Sequence, residues 1–152
     1  MTRIAVKAEP SPITILLVDD DSQCRAMIRR AIGQGHLGND VRDVASGAEA
    51  LDLLYRRGPY ADAPRPGLIY LDAEMPGISG LDVLGTIKAD PDLKDIPVIV
   101  MIAPDDDRRR QEATRNGASA CSVKPASPVA FFETVLAGTD YCLRIDHDVG
   151  HF

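Results

Sequence analysis

No apolar run in the chain approaches the roughly 20 residues that a membrane-spanning helix needs. The N-terminal "MTRIAVKAEPSP" lacks the apolar core of a secretory signal, so a cytoplasmic protein is expected. Basic charge is short as well: 17 Lys and Arg stand against 23 Asp and Glu, a net charge of −6. A nucleic-acid surface needs a basic stripe, and this composition argues against one. The three cysteines, Cys24, Cys121 and Cys142, are widely spaced with no C-x-x-C. They read as reduced, mostly buried thiols, which leaves out a disulfide framework. His147 and His151 lie four apart in "HDVGH", a spacing that would suit a metal on a helix. Gly150 and the chain end disfavour a fixed helix there, and a polar tail is the simpler reading.

What remains is 152 residues of ordinary globular composition, 45% hydrophobic and 26% charged, enough for one well-cored domain. Residues 1–12, with Pro10 and Pro12, read as a loose lead-in. "ITILLV" (13–18) is a continuous apolar run, the mark of a strand buried on both faces. Cys24, Met27, Ile28, Ala31 and Ile32 then recur at helical spacing, with Gly33 and Gly35 predicted to end the helix. "DVRDVA" predicts a short strand. "SGAEALDLLYRRG" predicts a helix with a Ser46–Glu49 capping box, an apolar stripe of Ala48, Leu51, Leu54 and Tyr55, and a stop at Gly58. "LIYL" is the third strand. "SGLDVLGTIKAD" is a helix with Leu81, Leu84 and Ile87 on one side, and "PVIVMIA" (97–103) is the fourth strand. "DDDRRRQEATRNG" is a charged helix with a poor stripe, and "ACSV" is the fifth strand. "SPVAFFETVLAG" is the last helix, capped by Ser127 with Pro128 at its first position.

Five alternations of apolar strand and helix predict an α/β fold: one open, doubly wound parallel sheet with helices on both faces. In such sheets the site lies at the carboxyl ends of the strands. That rule gathers scattered residues onto one rim: Asp19 and Asp20 after the first strand, Asp72 after the third, Ile102 and Ala103 after the fourth, Lys124 after the fifth. Taken alone, Asp72 reads as a cap on the following loop. Beside two more carboxylates it reads differently, because the three would repel one another. A hard divalent cation removes the repulsion, and Mg²⁺ suits a site of carboxylates, a carbonyl and waters. A carboxylate so placed can attack phosphorus and form an acyl phosphate. Lys124 would supply a second positive charge.

The motifs "LLVDDDS", "LDAEMPGISG" and "VKP" resemble the receiver domain of bacterial two-component response regulators. The resemblance covers roughly 13–137 and implies a CheY-like fold with strand order 2-1-3-4-5, a receiver over 13–138 and an extension over 139–152. It implies a signalling domain and not an enzyme. Asp72 would be the phosphoacceptor, Asp20 the direct Mg²⁺ ligand, Asp19 a ligand acting mainly through water, and the Glu74 carbonyl the third protein ligand. Lys124 would contact the phosphate, across a Lys124–Pro125 bond that is cis in the family. Asp21 has no family role and reads as an acid at a helix N-terminus. The implied partner is a sensor histidine kinase or phosphotransfer protein, with no membrane and no nucleic acid. The loops "RRGPYADAPRP" and "IKADPDLKDIP" and the tail "TDYCLRI" are similar to single-domain regulators encoded beside bacterial phytochrome-type kinases. There a receiver with a C-terminal extension forms a homodimer. In this chain the apolar row would be Tyr141, Leu143 and Ile145.

Two positions depart from the family. Ile102 stands where Thr or Ser usually offers a hydroxyl to the phosphoryl group, and Cys121 replaces the switch aromatic. The alternative is therefore a degenerate receiver that binds partners without phosphorylation. A third reading, an aspartate-nucleophile phosphohydrolase of the haloacid-dehalogenase type, has D-x-D in its favour. It has Gln23 and Glu74 against it. The Glu74 side chain stands near the route of a hydrolytic water or simply faces solvent. About fifteen residues follow the last helix, too few for a DNA-binding output domain.

Overall fold

A computed structural model describes residues 13–34 and 40–123, apart from the side chains of 31–34 and 123. Five strands run in parallel: β1 (Thr14–Val18), β2 (Asp40–Val44), β3 (Leu68–Asp72), β4 (Val98–Ile102) and β5 (Ala120–Val123). Their order across the sheet is β2-β1-β3-β4-β5. This is the expected doubly wound sheet, with its switch in strand order beside β1 and β3.

Alternate residues of the strands feed two cores, as period-2 side chains must. Leu16, Val18, Ile69, Leu71, Val98, Val100 and Ile102 point to one face. There they meet Ala50 and Leu53 of α2 (Gly47–Leu54), Val83, Leu84 and Ile87 of α3 (Gly80–Ala89), and Ala113 of α4 (Asp107–Arg115). Ile15, Leu17, Leu68, Tyr70, Ile99 and Met101 point to the other face and meet Ile28 of α1 (Ser22–Gln34). Each such aliphatic side chain contributes about 1.5–3 kcal/mol on burial.

The helix ends follow local chemistry. Asp21 Oδ1 accepts from the Gln23 and Cys24 amides at the start of α1. Ser46 and Ser79 cap α2 and α3 by accepting from Glu49 and Asp82 amides. The Glu49 carboxylate reaches back to the Ala45 amide, one residue before the cap. Four expectations need correction. Gly33 lies inside α1, whose last turn runs on to Gln34, and one Gly costs a helix only about 1 kcal/mol. The buried stripe of α2 is Gly47, Ala50 and Leu53, while Ala48 and Tyr55 are exposed. In α3, Val83 is buried and Leu81 only half so. The helix α2 also stops before Gly58, with Tyr55 as its C-cap, and Gly58 opens a separate 3₁₀ turn to Tyr60.

A lysine closes the sheet near the amino end of β4. Lys88 extends its Nζ inward to the carbonyls of Lys94 and Ile96, at 2.8 and 2.9 Å. Burial holds its pKa below the ordinary value.

Candidate functional site

The strand β1 ends in Asp19 and Asp20, and β3 ends in Asp72. Adjacent parallel strands in register bring the two ends together, Val18 pairing with Leu71. The result is one cluster: carboxylate oxygens of Asp19, Asp20 and Asp72 all lie within 4.8 Å of one another. Asp19 is fully buried and Asp72 is 4% exposed. At that separation, two buried carboxylates repel by about 3–4 kcal/mol at an effective dielectric constant near 20. Such a set of hard oxygen donors with an exposed third member, Asp20, fits a small divalent cation with water in its remaining positions.

Backbone groups hold the cluster in place. Asp19 Oδ1 accepts from the Asp21 amide at 2.9 Å, and Asp72 Oδ1 accepts from the Glu74 amide at 3.2 Å. Arg25 of α1 donates to the Asp19 carbonyl at 2.7 Å while pairing with Asp43 of β2 at 2.9 Å, which ties the end of β1 to its neighbour. The loop after β3 needs its glycines. Gly77 has φ +79°, and a Cβ on Gly80 would collide with the Asp72 carbonyl. Gly80 also donates its amide to the Ala73 carbonyl at 3.1 Å.

Asp20, Asp72, Glu74, Ile102 and Ala103 line a single cavity of about 280 Å³. Ile102 is 1% exposed and belongs to the larger core. Cys121 sits further back on β5, half-buried, with its Sγ 3.9 Å from the Arg110 carbonyl on α4. Lys124, the Lys124–Pro125 bond, the last helix, Cys142, the tail row Tyr141, Leu143 and Ile145, and the histidines His147 and His151 lie outside the described residues.

Two residues on this rim escaped the sequence reading. Asp106 caps α4 by accepting from the Arg109 amide, and Arg109 Nη1 reaches both Asp106 Oδ2 at 2.7 Å and Glu74 Oε2 at 3.2 Å. Both line the same cavity. The hydrogen bond from the Arg109 side chain, with one from its amide, holds the Asp106 carboxyl below the usual carboxylate range, and Asp106 in turn raises Arg109. The only sequence signal was an Asp three residues ahead of an Arg inside "DDDRRR", which is easily lost in a charge run.

A five-stranded parallel sheet in this order, with acidic residues gathered at its switch point, defines a class of α/β signalling domain. The response regulator receiver domain family matches residues 15–136, and the chain belongs to that family. Among its relatives is the response regulator Rcp1 of Synechocystis, 36% identical over 90 residues, 59% of this chain. That match spans 61% of the length of Rcp1. The polar-differentiation response regulator DivK of Brucella anthropi is 34% identical over 128 residues, covering 82% of this chain and 94% of DivK. The crystal structure of the phosphorylated cyanobacterial phytochrome response regulator RcpA superposes with a TM-score of 0.84 at 30% identity, over 89% of this chain and 96% of that one. The Mn(2+)-bound form of Rcp1 superposes at 0.78 and 28% identity, over 83% and 91%. Among the described residues, no helix is long and apolar enough to cross a membrane.

Proposed function

We propose that this chain is a phosphoacceptor of two-component signalling, receiving a phosphoryl group on Asp72 from a histidine of a sensor kinase or phosphotransfer protein. The observation that carries the reading is the convergence of Asp19, Asp20 and Asp72 within 4.8 Å at the carboxyl ends of β1 and β3. In the transfer, an Asp72 oxygen forms a bond to phosphorus as the phosphorus–nitrogen bond of the donor imidazole breaks, and the bonding electrons leave with that nitrogen. Asp20 and Asp72, with the Glu74 carbonyl and with Asp19 through water, would hold Mg²⁺. The cation supplies charge neutralisation between carboxylate and phosphoryl oxygens. Lys124, next in sequence after β5, is the residue we assign to contact the phosphoryl group. Burial of Asp72 keeps bulk water from its inner face, while the exposed Asp20 leaves the cavity open to a donor. That the similar RcpA has been seen phosphorylated and the similar Rcp1 with Mn(2+) bound supports this reading.

The receiver extends over 13–138, and the 139–152 extension offers Tyr141, Leu143 and Ile145 to a second copy of the chain. Sedimentation of a chain truncated after Gly138 tests this; a shift toward monomer is expected, and an unchanged profile removes the dimer.

One observation favours the second reading, a receiver that binds partners without phosphorylation: Ile102, buried and apolar, offers no donor at the end of β4. Incubation with acetyl phosphate and Mg²⁺ followed by intact mass separates the two. A phosphoryl adduct is expected, and its absence leaves the interaction module.

A further inference from the structure

Arg109 joins two ends of the rim that the sheet leaves apart. Glu74 follows β3 and Asp106 follows β4, and Nη1 of Arg109 donates to Asp106 Oδ2 at 2.7 Å and forms an ion pair with Glu74 Oε2 at 3.2 Å. These three residues line the cavity that holds Asp20 and Asp72. They also line a second cavity of about 310 Å³, shared with Ser79 and Asp82 at the start of α3 and with Glu112 in the second half of α4. The ion-pair triad is thus the partition between the acidic pocket and the groove between two helices. Arg109 is the cation that lines the acidic pocket among the described residues.

We propose that Arg109 is the phosphoryl-sensing residue of this chain, drawn off Glu74 and Asp106 by the oxygens of a phosphoryl group on Asp72, so that α4 and the groove beyond it respond. The inference rests on the phosphoacceptor reading. A switch needs a contact that differs between its two states. Ile102 provides none, being apolar and packed in the core. A guanidinium provides one, since its planar fork of N–H donors matches phosphoryl oxygens better than a single carboxylate oxygen. A phosphoryl group carries about −1.5 to −2 charges against −1 for each present partner. The pair with Glu74 is also the kind that yields, since Glu74 is 65% exposed and surface ion pairs of this sort are weak. Asp106 keeps its backbone cap on α4 when the side-chain pair is lost, since the Arg109 amide bonds to its Oδ1 and the guanidinium to its Oδ2. Beside the cap, Asp105 holds φ at +67°, a left-handed conformation that costs a non-glycine residue some strain and makes this loop a natural place to move.

The test uses the full chain with Mg²⁺ and beryllofluoride, a phosphoryl mimic. Bound fluorine signals report occupancy of Asp72, and ¹⁵N spectra report the response. In the wild type, bound signals are expected together with shifts of the Arg109 Nε–Hε resonance and of the amides of 72–74 and 106–112. In Arg109→Ala the bound signals and the shifts at 72–74 should persist, with beryllofluoride held about tenfold more weakly, while the shifts at 106–112 collapse. Arg109→Lys keeps the charge without the fork and should recover part of the affinity with little of the α4 response. Well-dispersed spectra before addition show that each variant folds. An Arg109→Ala chain with wild-type affinity and undiminished shifts at 106–112 overturns the proposal. A wild type that shows no bound fluorine overturns the phosphoacceptor reading itself and this inference with it, a separate failure seen before any variant is compared.

Discussion

The two halves of the rim at the carboxyl ends of the strands are built by opposite rules. At the ends of β1 and β3, three carboxylates crowd together, two of them buried. Buried carboxylates crowded together are costly to a fold unless something compensates their charge. At the end of β4 and within β5 stand Ile102, which fills the core, and Cys121, which packs half-buried beside α4. This half obeys the ordinary preference for apolar interiors. Costly features persist where they serve chemistry. On the function proposed above, the contrast would separate capture of a phosphoryl group, concentrated on the first half, from its readout, for which the second half offers neither the usual hydroxyl nor the usual aromatic.

The sharpest way to break the comparison is at its centre. Asp72→Asn should abolish the adduct seen by intact mass after acetyl phosphate and Mg²⁺; equal yield on the variant would place the acceptor elsewhere. Asp20→Ala removes a ligand and one charge, and titration calorimetry should show Mg²⁺ binding weakened by about tenfold or more. Equal affinities would move the metal off this half of the rim. Ile102→Thr returns a donor to the second half. It should strengthen coupling between phosphoryl mimic and α4 by at most ~1.5–3 kcal/mol, read as larger amide shifts through 104–121, while lost packing costs about 1 kcal/mol in a urea titration. A wild-type response already as large would show that the hydroxyl is dispensable. In the Arg109→Ala background the same substitution should restore part of the lost response.

The smallest effect is that of pH on the Asp106 cap. Its folded pKa is depressed below the ordinary 3.8, chiefly by Arg109. The unfolded chain therefore binds more protons in the window between the two values, and stability rises with pH there. The contribution is complete above the ordinary value and is lost as pH falls through the folded one. Carbon-detected titration of the Asp106 carboxyl should show its midpoint moving up in Arg109→Ala; an unmoved midpoint would mean that the pair does not form in solution.

Whereas β2 at the sheet edge is polar and mostly exposed, the strands β1, β3 and β4 were readable because parallel strands covered on both faces are apolar along nearly their whole length. The rule that sites gather at their carboxyl ends then placed Asp19, Asp20 and Asp72 together before any coordinate. Short helices were harder. In the eight residues of α2, the set Ala48, Leu51, Leu54 and Tyr55 and the set Gly47, Ala50 and Leu53 both satisfy helical spacing. The larger side chains pointed to a face of which Leu51 and Leu54 do pack, partly buried, on the core, while Ala48 and the C-cap Tyr55 stay exposed. The structure resolves it by sending the Tyr55 hydroxyl out to Asp90, at 2.9 Å. Arg109 was illegible for another reason. Among three consecutive arginines, periodicity cannot say which one reaches across to Glu74, because that depends on how far α4 stands from the loop after β3.

Gly80 has a mechanical consequence. The first residue of α3 rests directly on the carbonyl of Asp72, with no room for even one carbon between them. There is no slack in this joint. A side chain at residue 80 would have to push the end of β3 and the start of α3 apart, so one contact sets the spacing of strand end and helix, and Gly80→Ala should loosen both together.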